Sequence, residues 1–181
     1  MTVHLEPWSA DDLGLLHRLN TPEMTAHLGG PESDARVADR HRRYLAPGSG
    51  MFRVVLDEVP AATADGAAAG GAVEGGVVGR RVVAGSVGFW AKEWRGSTVY
   101  EVGWSVVPEC QGLGVAVAAA AAVLEVARAA GGARWVHAFP SVENAASNAV
   151  CRKVGFTLLG EVSFEYPPGR FMRCNDWGVE L

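Results

Sequence analysis

A chain of 181 residues, 49% of them apolar, is long enough to bury a core and suits a single domain, residues 1–181. Lys and Arg number 16 against 20 Asp and Glu, a formal net charge of −4. That balance leaves no basic face to displace phosphate counterions, so it speaks against a nucleic-acid binder. Residues 1–7 lack the basic and apolar regions of a signal peptide, and the longest apolar run, 114–124, is too short for a membrane span before it meets Glu125. Cys110, Cys151 and Cys174 are far apart with no Cys-x-x-Cys pair. They read as thiols in a reducing compartment, with neither a disulfide frame nor a metal site, and the expectation is a soluble cytoplasmic protein.

Residues 3–6 alternate as a short strand closed by Pro7. Ser9 can cap a helix over 10–19, with Asp11 and Asp12 in its first turn and a stripe of Leu13, Leu15, Leu16 and Leu19. A second helix over 33–45 carries a wet face of Asp and Arg, and 51–56 is a β-branched strand. The stretch 59–79 is almost entirely Ala, Gly and Val, which cannot offset the entropy of ordering, so it reads as a long hairpin-loop insertion. Strands over 82–90 and 98–107 follow, joined by a turn in 92–97. Strong helix formers occupy 115–130 until Gly131-Gly132 stops them. A strand over 134–139, a helix over 143–154, and strands over 159–166 and 171–179 complete the chain. This order predicts an α+β (mixed α/β) fold around one sheet.

The chemistry concentrates between Glu101 and Phe156. From Val106 and Val107 the chain runs through Pro108, Glu109, Cys110, Gln111, Gly112, Leu113 and Gly114 into the helix that begins at Val115 and Ala116. Small residues let successive N–H groups converge on an anion, and the helix start adds about half a positive charge there. A Gly-x-Gly at a helix start is also met in ordinary tight turns. The dinucleotide fingerprint fails at Val117, and the Gly-Lys-Ser/Thr of a P-loop is absent.

About thirty residues on lies Asn144-x-x-Ser147, followed by Lys153-Val154-Gly155-Phe156. With Gln111-x-x-Gly114-x-Ala116, these segments resemble the GNAT superfamily of acyl-CoA N-acyltransferases. Glu101-Val102-Gly103-Trp104 and Pro108-Glu109 resemble its ribosomal-protein N-terminal acetyltransferase branch. The resemblance implies a mostly antiparallel sheet with two parallel, splayed central strands. It implies acetyl-CoA as cosubstrate, no metal, and a small-molecule or peptide amine as acceptor. Gln111, Gly112, Leu113, Gly114, Val115 and Ala116 would cradle the pyrophosphate, Val106 and Val107 would bond the pantetheine arm through their backbone, and Asn144 would contact that arm. The amine would attack directly, without a covalent enzyme intermediate.

The chain departs from that pattern at two places. Many relatives carry a tyrosine at the position of Cys151 as the acid for the leaving thiolate, so Ser147 becomes the leading acid, with Cys151 as the second candidate. Leu113 stands where Arg or Lys is common. Glu101 is a candidate base or amine anchor, with small Gly103 and Ser105 leaving room on its face; a surface charge explains it equally. His137 fits a packed or solvent-facing histidine better than a base. Trp90, Trp94 and Trp104 are candidate walls of the acceptor cleft or parts of the core. A CoA-binding sensor without turnover and an assembly module stay open as other function classes, and a homodimer stays open as the partner.

Overall fold

The computed structural model describes residues 2–57 and 81–181. The 59–79 insertion expected as a hairpin loop lies outside these residues. Among the described residues, seven strands form one mixed sheet in the order β1-β2-β3-β4-β5-β7-β6. They are β1 (Val3–Pro7), β2 (Met51–Asp57), β3 (Arg81–Trp94), β4 (Ser97–Val106), β5 (Trp135–Ala138), β6 (Thr157–Glu165) and β7 (Phe171–Glu180). Each neighbouring pair is antiparallel except β4 and β5, which run parallel. The α+β expectation holds, including the parallel central pair.

Among the described residues, four α-helices accompany the sheet: α1 (Leu13–Arg18), α2 (Asp34–Tyr44), α3 (Val115–Ala130) and α4 (Ala145–Val154). α3 begins and ends where its sequence dictates. Its buried residues Val115, Ala119, Val123 and Ala127 recur every fourth position, and the alanines let the helix lie close on the sheet. Gly131, at φ +64°, stops it, and its carbonyl accepts the Tyr100 hydroxyl. Val102, Val106, Phe89 and Val87 meet α3 in one continuous core that also takes in Leu15, Leu16 and Val37. Burying each such aliphatic side chain contributes roughly 1.5–3 kcal/mol.

The β3–β4 turn is tighter than the sequence suggests. Trp94 pairs with Ser97, so the loop is Arg95-Gly96 alone, with φ of 50° and 80°. Two left-handed residues match the twist of a hairpin, so β3 extends through Lys92 and Trp94 instead of stopping at Trp90.

Strand alternation sorts the side chains. Glu6, Arg53, Ser86 and Ser105 are successive cross-strand partners and share one face with Glu101. Arg53 reaches Asp12 just before α1 on that face, at 3.1 Å. On the opposite face, α4 packs beside α3 and holds Trp177 of β7.

Candidate active site

β4 and β5 are paired only at Tyr100–Val136 and Glu101–His137. Beyond that point β4 continues straight to Val106, whereas the chain after Ala138 follows β7. Asn175 N–H donates to the Pro140 carbonyl at 2.9 Å, Val142 N–H donates to the Arg173 carbonyl at 3.1 Å, and Ser141 bridges Cys174. The two parallel strands therefore part, and one edge of β4 is left open.

The atoms facing this gap follow from the ladder. Val107 N–H donates to the Ala84 carbonyl of β3 at 2.8 Å, so odd-numbered β4 residues bond toward β3. Trp104 and Val106 then turn their backbone groups to the gap. The Val106 carbonyl is taken by the Gln111 side-chain amide at 2.9 Å, which leaves the Val106 N–H as the donor. Val107, paired with Val106 in the sequence reading, differs. Its N–H is on β3, its carbonyl accepts Cys110 N–H at 2.9 Å, and the residue is fully buried.

The glycine loop opens at the same end of β4. Gly112 and Gly114 have φ of 74° and 81°, and a Cβ built on either meets nothing within 4 Å. The loop is thus a left-handed bend over open space. Among the described residues, the N–H groups from Gly112 through Val117 have no recorded hydrogen-bond acceptor, and Ala118 N–H is the first to bond back, to the Gly114 carbonyl at 3.1 Å. Unpaired N–H groups at a helix start suit an anion. Leu113 is 58% exposed and adds no charge; Val115 is buried beneath the loop and Ala116 is half-buried.

Across the gap, Asn144 caps α4, its side-chain oxygen accepting Ser147 N–H at 3.0 Å. This leaves the Asn144 amide NH₂ and the half-buried Ser147 hydroxyl without a recorded protein partner among the described residues. Asn148, absent from the sequence reading, holds this region together. Its NH₂ donates to the Ser141 and Asn144 carbonyls at 2.9 and 2.8 Å, and its oxygen accepts Asn175 Nδ2 at 2.7 Å and Trp177 Nε1 at 2.8 Å. Its spacing of four from Asn144 was the available signal. Cys151 is fully buried in the core, and burial pushes its thiol up to about 12.

Glu101 lies on the other face of the sheet, ion-paired to Lys92 at 2.9 Å and 16% exposed. Lys92 Nζ also sits 4.4 Å from the centre of the Phe164 ring. The room expected over Gly103 is taken by the Trp90 indole, 3.0 Å from where a Cβ would stand. Trp94 packs edge-on against Phe139 at 4.7 Å and donates to Asp176 at 3.1 Å. Trp104 alternates to the opposite face from Glu101 and packs on the core, so it is no wall of a cleft on the Glu101 side. His137 is buried, with Nδ1 2.6 Å from Asp176, a carboxylate with no exposed surface that the sequence reading missed.

A cleft of about 290 Å³ opens between the segment after α1 (Ala26, His27, Gly29), the chain after β5 (Ser141, Glu143) and the β6–β7 turn (Tyr166, Arg170). Burial, with the Glu32 carboxylate close by, pushes the Tyr166 phenol above its usual range, so it remains a donor. Among the described residues, no cluster of three or more His, Cys, Asp or Glu is placed to hold a metal, and no helix is long and apolar enough to cross a membrane.

Comparison with known proteins agrees with this architecture. The GNAT-family acetyltransferase from Bacillus anthracis superposes with a TM-score of 0.73 at 17% identity, over 99% of this chain and 95% of that one. An acetyl transferase from Salmonella typhimurium that modifies the N-terminal serine of ribosomal protein L7/L12 gives 0.70 at 20% identity, over 100% and 96%. Spermidine N-acetyltransferase from Vibrio cholerae, in complex with CoA and spermine, gives 0.69 at 16% identity, over 98% and 95%. At these identities the likeness carries the fold alone. A search of curated protein sequences finds no significant match. Residues 2–157 match the model of the acetyltransferase (GNAT) domain, and the chain belongs to that family.

Proposed function

We propose that this acyl-CoA-dependent N-acetyltransferase passes the acetyl group of acetyl-CoA directly to a primary amine, with no covalent enzyme intermediate. The observation that carries this reading is the continuity of two features. The open edge of β4 runs into the left-handed glycine loop, and the N–H groups of that loop are unpaired among the described residues. The residues fit the cosubstrate: an anion-binding helix start for the pyrophosphate, and an unpaired strand edge for an amide-bearing arm. In this reading Gly112, Leu113, Gly114, Val115 and Ala116 hold the pyrophosphate through the backbone. Gln111 acts one step back, holding the loop to Val106.

The Val106 N–H faces the gap and donates to the acetyl carbonyl oxygen, where negative charge grows as the amine attacks. The Asn144 NH₂ bonds the arm, and the Ser147 hydroxyl is the proton source for the leaving sulfur. A fully buried Cys151 thiol serves the core instead. Glu101 anchors the incoming amine or takes its proton through water, with Lys92 fixing its carboxylate. Holding both reactants in one geometry supplies much of the rate.

The test is acetyl-CoA-dependent release of free thiol across a panel of amines, with mass spectrometry of the product. Acetylated amine appearing in step with thiol supports the proposal. Tight acetyl-CoA binding with no transfer to any amine would instead mark a CoA-binding protein without turnover.

A further inference from the structure

We infer that the acceptor cleft selects amines that also carry a carboxylate, and that Arg170 is the residue that reads it. This rests on the transferase reading above, with the acceptor placed in the cleft between the segment after α1, the chain after β5 and the β6–β7 turn, whose Ser141 and Glu143 run directly into Asn144 at the start of α4. Besides the Tyr166 phenol, four ionisable side chains line the cleft: His27, Glu143, Arg170 and Arg173. Arg173 is committed to Glu161, and the Glu143 carboxylate also bears on it. Arg170 is different. Among the described residues no carboxylate is ion-paired with it, and one guanidinium N–H donates to the Gly29 carbonyl at 3.0 Å.

This placement is built by the backbone on both sides. Tyr166 N–H donates to the Arg170 carbonyl at 2.8 Å and Arg170 N–H to the Pro167 carbonyl at 2.9 Å, so the backbone of the arginine is fixed at the base of the turn, just before β7. Opposite it, Gly29 has φ +90°, and a Cβ there would come within 3.0 Å of Pro167 Cδ and 3.2 Å of Arg170 Nη1. A side chain there would strain the left-handed backbone and push the guanidinium off this position by a few tenths of an ångström. With one donor spent, the remaining N–H groups keep the planar fork that matches a carboxylate. A polyamine, cationic along its length at neutral pH, meets like charge at the same position.

The experiment is calorimetry on the full chain saturated with CoA. It is titrated with a Ser-Glu dipeptide amide, with its isosteric Ser-Gln counterpart, and with spermidine. The acidic dipeptide should bind roughly tenfold more tightly than the neutral one, the worth of one charge-assisted contact. In Arg170→Gln that preference should disappear, and Arg170→Lys should restore part of it. Gly29→Ala, which displaces the guanidinium without removing it, should weaken the preference as well. Thermal melts identify any variant that has lost its fold. Equal binding of the acid and the amide, tighter binding of spermidine, or an undiminished preference in folded Arg170→Gln overturns the inference. Because binding is read without turnover, a protein that prefers the acidic dipeptide yet acetylates no amine would sink the transferase reading alone.

Discussion

The Gln111 carboxamide donates to the Val106 carbonyl at 2.9 Å, tying the glycine loop back to the last residue of β4. The same contact occupies the carbonyl that would otherwise face the gap and leaves the Val106 N–H pointing there. Gln111→Ala should therefore weaken acetyl-CoA binding by about 0.5–1.5 kcal/mol, the net worth of one such hydrogen bond. Calorimetry with acetyl-CoA reads this directly. An affinity equal to the parent's would show that the loop holds its shape without the tether.

Gly114 gives a sharper test of the anion cradle. At φ +81° a side chain is strained by about 1–2 kcal/mol, and a valine would also project into the open space over the loop. Gly114→Val should lower acetyl-CoA affinity at least tenfold while α3, anchored by Val115 and Ala119, stays folded. Parent-like affinity in a folded variant would move the pyrophosphate site elsewhere.

Gly114 was legible in the sequence because local chemistry fixes it, whereas Gln111 entered through the family resemblance and its tether to Val106 was not foreseen. A Gly-x-Gly before a run of helix formers, and Gly131-Gly132 after it, set both ends of α3. The missing information was long-range. Which face Trp104 takes depends on strand register, and the commitment of Val107 depends on Ala84 lying beside it. Asp176 and Asn148 gain their meaning only when β5, β7 and α4 come together. Arg95 at φ 50° also hid the true turn, since nothing about an arginine announces a left-handed residue.

Asp176 should prove a stability residue. It has no exposed surface, and it accepts Trp94 Nε1 and pairs with His137 Nδ1. Asp176→Ala would strand the buried His137 ring and the half-buried Trp94 indole, a loss of about 3–5 kcal/mol. Denaturant unfolding of the variant against the parent measures it. A change below about 1 kcal/mol would mean that water replaces the carboxylate at little cost.

Ser147 and Cys151 should separate cleanly. Ser147→Ala removes a half-buried hydroxyl in the first turn of α4, the acid of the proposed mechanism, and should lower kcat by roughly 10²-fold, the low end for a general acid. Cys151→Ala removes a core thiol and should act mainly on stability, by about 1 kcal/mol. Burial raises the Cys151 thiol from 9.0 to about 12, so the folded state holds the proton more tightly than the unfolded chain does. Its contribution is complete below about pH 9 and is lost as pH rises toward 12. The parent's melting temperature should therefore fall over that range, and less steeply in Cys151→Ala. Turnover lost in Cys151→Ala but kept in Ser147→Ala would reassign the acid.

The acceptor's own basicity supplies the last expectation. Only a neutral amine can attack, and an α-amine of pKa about 7.8 reaches that form at pH 7 for about 1 kcal/mol, whereas a lysine-like amine of pKa about 10.4 needs about 4.6 kcal/mol. Overcoming the larger cost takes a strong, free base at the site. Glu101 is already paired with Lys92 at 2.9 Å, and the His137 ring is enclosed against Asp176. Neither arrangement supplies one. An α-amine, such as a peptide N-terminus bearing a nearby acidic side chain, is therefore the favoured acceptor. Its kcat/KM should rise with pH up to about 8 as the amine loses its proton, then level off. The measurement compares kcat/KM at pH 7 for a short peptide with a free N-terminus, an N-blocked lysine peptide and a polyamine. Raising the pH to 9 should narrow the gap, because the lysine amine gains neutral form while the α-amine is already neutral. A consistent preference for the lysine peptide or the polyamine at pH 7 would reject the α-amine assignment and require efficient proton removal at Glu101 despite its ion pair.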